Sequence, residues 1–146
     1  MSGCKSAAVD NLEAQVRKED PETVLVSSLA YLTNTRSLYG GDLESTVAIM
    51  RTVASRLTYR LQSSSGSFHN KVEHVRQVVL GALRAASNIL EESNRRAWWD
   101  LTASARMKVA TNLLLALEEN AFLLAGVLNE PSEVLETHEL MSKLTQ

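Results

Sequence analysis

The sequence predicts an all-α fold, a single bundle of five or six helices. Three observations carry that prediction. Apolar residues recur at spacings of three and four along most of the chain, the signature of helices with one buried stripe. Strand-type alternation is hard to find. Only two prolines occur, Pro21 and Pro131, and both fall where a helix would begin or end. The 146 residues, 45% apolar and 22% charged, suffice for one ordinary domain with its own core. A net charge of -2 and a pI of about 5.9 argue against nucleic acid or an anionic membrane surface as a main partner.

The elements follow in order. A short first helix is expected over 6–18, with Val9, Leu12 and Val16 on one stripe. "KEDPE" ends it; Asp20 is read as the next N-cap, with Pro21 in the first helical turn. The second helix covers 22–32, with Val24/Leu25, Ser28/Leu29 and Leu32 as its apolar set. After "TRSLYGG", a long third helix is expected over 43–62, facing inward through Leu43, Val47, Met50, Val53/Ala54, Leu57 and Leu61. "SSSGS" (63–67) is a loop. The fourth helix, 68–92, is marked by Val72, Val75, Val79, Leu83, Ala86 and Leu90. "ESNRRAWWDLT" reads as an irregular or single-turn link. Thr102 or Asp100 caps the last helix, 103–128, whose inward set is Met107, Ala110, Leu113/Leu114, Leu117, Ala121, Leu124 and Leu128. Asn129 and Pro131 end it. The tail, 131–146, reads as a linker or one more helical turn. Loops this short place sequential neighbours antiparallel. No repeat at solenoid periods is visible.

No segment resembles a signal peptide, and no continuous apolar run approaches the roughly 18 residues that span a bilayer. "VVLGAL" stops at Arg84 and "NLLLAL" at Glu118. Cys4 is the single cysteine. It closes no disulfide within the chain; it is either incidental or the half of a bridge whose partner lies upstream in a longer secreted protein.

The residues carry no recognisable catalytic constellation. "LYGGDLES" has the glycines of a phosphate loop but follows a helix, lacks a lysine, and puts Asp42 where an anion would sit. A carboxylate there suits a helix N-terminus, so Asp42 is expected to accept from the backbone N–H of Glu44 or Ser45. Gly40 and Gly41 supply freedom for the reversal, and Tyr39 packs beneath the turn as a buried aromatic. His69 and His74 are five residues apart, the wrong spacing for one helix face, and with His138 are read as solvated. Glu91-Glu92 and Glu118-Glu119 are sequence neighbours pointing apart, and so are edges rather than a carboxylate dyad. No nucleophile elbow exists. No cofactor or metal is implied. The pair Trp98-Trp99 is the most unusual feature: one ring should bury, the other can meet a neighbouring domain, with Arg95 and Arg96 near enough to stack.

Two stretches carry a family resemblance. "LTNTRSLYGGDLESTVAIM" (32–50) resembles the start of a long helix in latrophilin-type adhesion G-protein-coupled receptors, which show a Tyr, a Gly and an Asp in that order. "WWDLTASARMKVATNLLLALEENAFLLAGVLNEP" (98–131) is more specific, matching the family's Trp, Asp, apolar helix, "LEE-x-AFLLA" run and Pro. The resemblance implies subdomain A of the GAIN domain, a non-catalytic helical bundle occupying 6–130, after a lead of 1–5 and before a linker or the next subdomain at 131–146. It implies an extracellular position at the plasma membrane, with subdomain B of the same receptor as partner and the membrane reached only through the parent receptor. Adhesion ligands would bind other modules. Autoproteolysis would belong to subdomain B: His138 is followed by Glu139, not by the Leu and Ser/Thr of the cleavage motif. No Asn-x-Ser/Thr sequon occurs. The resemblance also places Cys4 at the boundary with an upstream Cys-rich module. A rival expectation stands beside it: a free-standing cytosolic adaptor whose groove takes a partner helix.

Overall fold

The computed structural model describes residues 4–63, 68–128 and 143–144. Six α-helices lie among the described residues: α1 (Ala7–Arg17), α2 (Glu22–Thr35), α3 (Gly40–Ser63), α4 (Phe68–Ile89), α5 (Arg95–Asp100) and α6 (Ala103–Leu128). A 3₁₀ turn, Glu92–Asn94, leads into α5, so the expected link is itself helical and α4 stops three residues early. The expected "SSSGS" loop beyond Ser63 and the tail, His138 included, lie outside the described residues, Lys143 and Leu144 excepted.

α1 begins at Ser6, whose hydroxyl accepts from the Val9 N–H at 3.3 Å, and buries Val9, Leu12 and Val16 as the stripe requires. It ends in a Schellman turn. The Asp20 N–H donates to the Gln15 carbonyl and the Glu19 N–H to the Val16 carbonyl. Glu19 sits at φ 60, the left-handed region that a side chain occupies at a cost. Replacing Glu19 with Gly should therefore raise stability by about 0.5–1 kcal/mol, read as a higher urea midpoint at unchanged m-value.

Pro21 is the N-cap of α2 and makes no side-chain bond there, which corrects the expectation that Asp20 caps and Pro21 opens the first turn. Glu22 follows and is 1% exposed. Arg60 Nη2 of α3 lies 3.1 Å from one of its oxygens, and His74 Nε2 of α4 lies 3.7 Å from the other. His74 is thus half-buried against a carboxylate, not solvated as expected. A buried carboxylate needs such partners, because desolvation without them costs several kcal/mol.

Consecutive long helices alternate in direction. The start of α2 meets the end of α3 through Glu22–Arg60. The most extensive contact, however, joins α2 with α4, which therefore run parallel. Along α2 and α4, Gly81 abuts Val26. Seven residues on, Asn88 Nδ2 donates to the Ala30 carbonyl at 3.1 Å and to Thr33 Oγ1 at 3.0 Å. α6 lies along both α3 and α4. Arg51 of α3 spans to it, Nε donating to Glu119 at 2.7 Å and Nη1 to Asn112 at 3.2 Å. The core is Leu25, Leu29, Leu43, Met50, Leu57 and Ile89 with the alanines and valines of α4.

Candidate functional site

The turn before α3 is a structural knot. The helix starts at Gly40, three residues before the expected start, because Tyr39 is its cap: the Tyr39 carbonyl accepts from the Asp42 and Leu43 N–H groups. Asp42 therefore lies inside the first turn and is 0% exposed. One of its oxygens accepts from the Tyr39 N–H at 2.9 Å, reaching backward rather than forward to Glu44 or Ser45. The other accepts from the Ser6 N–H at 2.8 Å and the Ser6 hydroxyl at 3.2 Å. One carboxylate thus ties together the N-termini of α1 and α3. The negative charge also complements both helix dipoles. The Gly41 N–H donates to the Cys4 carbonyl at 2.9 Å, which pins the chain ahead of α1. Cys4 itself is exposed, with a free thiol.

Two expectations at this turn are corrected. Tyr39 is 50% exposed rather than buried beneath the turn; Leu38 is the buried neighbour. No glycine among the described residues has positive φ. Gly40 is needed instead for close approach: a Cβ there would stand 2.9 Å from Leu101 Cδ2 and 3.2 Å from the Ala97 carbonyl oxygen.

The two tryptophans differ in burial, though neither ring is fully buried. Trp98 is half-buried, its Nε1–H donating to the Ile89 carbonyl at 2.7 Å, which closes the end of α4. Trp99 is 64% exposed. The cation over its ring is Arg106, at 4.2 Å from the centroid, not Arg95 or Arg96; Arg95 pairs with Glu92. Arg106 lies one helical turn into α6, which brings it back over the preceding segment.

A larger exposed surface lies on α6. Thr102 caps α6, its Oγ1 accepting from the Ala105 N–H, and α6 buries Val109, Leu113, Ala116, Asn120, Leu123 and Val127. Of the expected inward set only Leu113 is buried, while Leu117, Leu124 and Leu128 are half-buried. Met107 is 70% exposed, Leu114 68% and Phe122 67%. These three repeat at seven and eight residues and so share one outer face with the exposed Ala110, Ala121 and Ala125; Thr111 and Glu118, the latter four residues from both Leu114 and Phe122, are exposed on the same face. Leu83 and Leu90 of α4, expected inward, are exposed too. α6 is therefore apolar on two faces, one packed and one open. By length and composition α6 is apolar enough to cross a membrane, and only 28% of its most apolar 18-residue stretch is buried.

Nearby ionisable groups are structural. The Arg76 guanidinium beside Glu73 holds its carboxyl down at about 2, and the carboxylate in turn raises Arg76. Among the described residues no three His, Cys, Asp or Glu side chains are grouped to hold a metal.

Residues 6–125 match the family model described as AGRL2-4 GAIN subdomain A. The chain is similar to latrophilin Cirl of Drosophila mojavensis, with 30% identity over 137 residues, 93% of this chain and 8% of that protein. It is similar also to adhesion G protein-coupled receptor L1 of Homo sapiens, with 30% identity over 151 residues, 95% of this chain and 10% of that protein. The chain spans about a tenth of the length of these relatives.

Proposed function

The chain belongs to the GAIN subdomain A family of latrophilin-type adhesion G-protein-coupled receptors, and from that premise we propose that it is a non-catalytic, extracellular subdomain of such a receptor. Its work is to seat the autoproteolytic subdomain B of the same receptor and to carry load between the adhesion modules and the membrane-spanning part. The plasma membrane is reached only through that parent. Self-cleavage chemistry would reside downstream, in residues this chain does not contain.

The observation that carries this reading is the open face of α6. Met107, Leu114 and Phe122 stand exposed on a helix whose opposite side is well packed. Burying a large apolar side chain yields about 1.5–3 kcal/mol, so leaving three on one stripe makes sense for a helix that a second structural unit covers. Trp99, held under Arg106, is a further exposed aromatic of the kind that dominates interfaces.

The double substitution Leu114→Glu with Phe122→Glu tests it. Both positions are exposed, so the isolated chain should keep its stability to within about 0.5 kcal/mol. The parent receptor carrying the same pair should lose cell-surface delivery, because two carboxylates cannot be buried unpaired at an interface. Normal surface delivery of the parent would refute the docking reading. Loss of stability in the isolated chain would instead mean that the face is part of the core.

A further inference from the structure

A second feature lies at the far end of the bundle. There α3, α4 and α6 leave a cleft of about 230 Å³, lined by Leu61, Lys71, Phe122, Leu123, Gly126 and Val127 among others. Its walls are mostly apolar. Lys71 is the one charged residue lining it, and among the described residues it has no ion-pair partner. Gly126 opens the wall: a Cβ built there meets nothing within 4 Å. Gly126 sits in the last turn of α6, and no packing contact requires a glycine there.

Size narrows the occupant. Pockets for drug-sized molecules run from about 300 to 1,000 Å³, so this cleft is scaled to one or two side chains. Charge narrows it further, since a lone ammonium at an apolar mouth is complementary to a single carboxylate. We propose that the α3–α4–α6 cleft is a docking pocket for a polypeptide segment that presents a large aliphatic side chain next to an Asp or Glu. The aliphatic group enters over Gly126 between Leu61 and Phe122, and the carboxylate meets Lys71. This proposal does not depend on the outer face of α6 being an interface; it stands on the cleft's walls, its volume and its one cation.

The test is titration of the whole chain, isotope-labelled, with acetyl-Ser-Gly-Leu-Glu-Gly-Ser-amide, followed by backbone amide shifts. One anchor side chain and one exposed ion pair predict weak binding, with a Kd on the order of 1 mM, and saturable shifts at Leu61, Lys71 and Gly126. Replacing the peptide's Glu with Gln should weaken binding about 2–5-fold, the worth of an exposed ion pair, and Lys71→Gln should abolish that difference. Gly126→Leu fills the cleft with a residue that favours helix, so it should abolish the shifts while the melting temperature holds or rises. Three results would overturn the proposal: no saturable shifts at millimolar peptide, shifts that survive Gly126→Leu, or equal affinity for the Glu and Gln peptides. Saturation by octanoate without response to the peptide would also overturn it, by assigning the cleft to a free amphiphile. So would concentration-dependent self-association removed by Gly126→Leu, which would assign it to a second copy of the chain.

Discussion

Asp42→Ala should destabilise the chain by about 2–4 kcal/mol. The carboxylate is fully buried and accepts three hydrogen bonds, from the Ser6 N–H, the Ser6 hydroxyl and the Tyr39 N–H. Alanine leaves these donors without their acceptor at two helix N-termini. A lost cap costs about 0.5–2 kcal/mol, and a buried donor left unpaired about 1–3 kcal/mol. For a domain of this size that loss lowers the melting temperature by roughly 5–15 °C. Ser6→Ala removes the hydroxyl's two bonds but keeps the backbone donor, so it should cost only about 0.5–2 kcal/mol. The two changes share a partner, so their costs should not add. Differential scanning calorimetry of wild type, both single variants and the double variant checks the set. A change below about 0.5 kcal/mol for Asp42→Ala would place that residue with ordinary surface substitutions and remove the knot from the account.

The second large effect is expected at Gly81. A Cβ there would stand 2.7 Å from Val26 Cγ2 and 2.8 Å from Val26 Cβ. Valine's branched side chain is stiff in a helix and its Cβ cannot swing aside, so α2 and α4 must move apart. Overpacking costs about 1–3 kcal/mol, and the gain in helix propensity offsets about 1 kcal/mol of whatever separation costs. Because Val26 yields so little here, the overpacking outweighs that gain, and Gly81→Ala should come out destabilising by about 1–2 kcal/mol. Gly126→Ala, the same chemical change at a site with open space, should instead stabilise by up to about 1 kcal/mol. Opposite signs for two Gly→Ala changes in one bundle would separate packing from propensity. Chemical denaturation of the two variants side by side reads both. If Gly81→Ala also stabilises, the close contact of α2 with α4 is wrong.

Much of this architecture is legible without coordinates, because helices depend on local chemistry. The limits of α6 at 103 and 128 match those read from periodicity, α1 buries the residues its stripe nominates, and α3 does so except at Leu61, which is half-buried. The orientation of α6 was not readable. With Leu, Ala and Val on every side, spacing alone allows several inward faces, and the buried one includes Asn120, which satisfies its amide on the Ala116 carbonyl. An amphipathic stripe can be found by period only when the opposite face is polar.

Asp42 shows the same boundary between local and distant information. Its capping character follows from its position after two glycines. Its tie to Ser6, 36 residues away, depends on how α1 folds back against α3, and no local pattern encodes that. Tyr39 differs from the expected buried aromatic: Tyr is only intermediate in its tendency to bury, and here the adjacent Leu38 fills the core instead. The cation over Trp99 comes from Arg106 rather than from its sequence neighbours, since the turn into α6 reverses the chain.

The outer face of α6 is the centre of the functional account, and it can be probed directly. Hydroxyl-radical footprinting should compare Met107, Leu114 and Phe122 in the isolated chain with the same residues in the longer protein expressed with its native flanking sequence. The account predicts rapid modification of all three in the isolated chain, where each is at least two-thirds exposed, and protection by tenfold or more in the longer protein, about the contrast between open and buried side chains. Equal modification in both would show that nothing docks on this face, and the role proposed for the chain within a receptor would have to be abandoned.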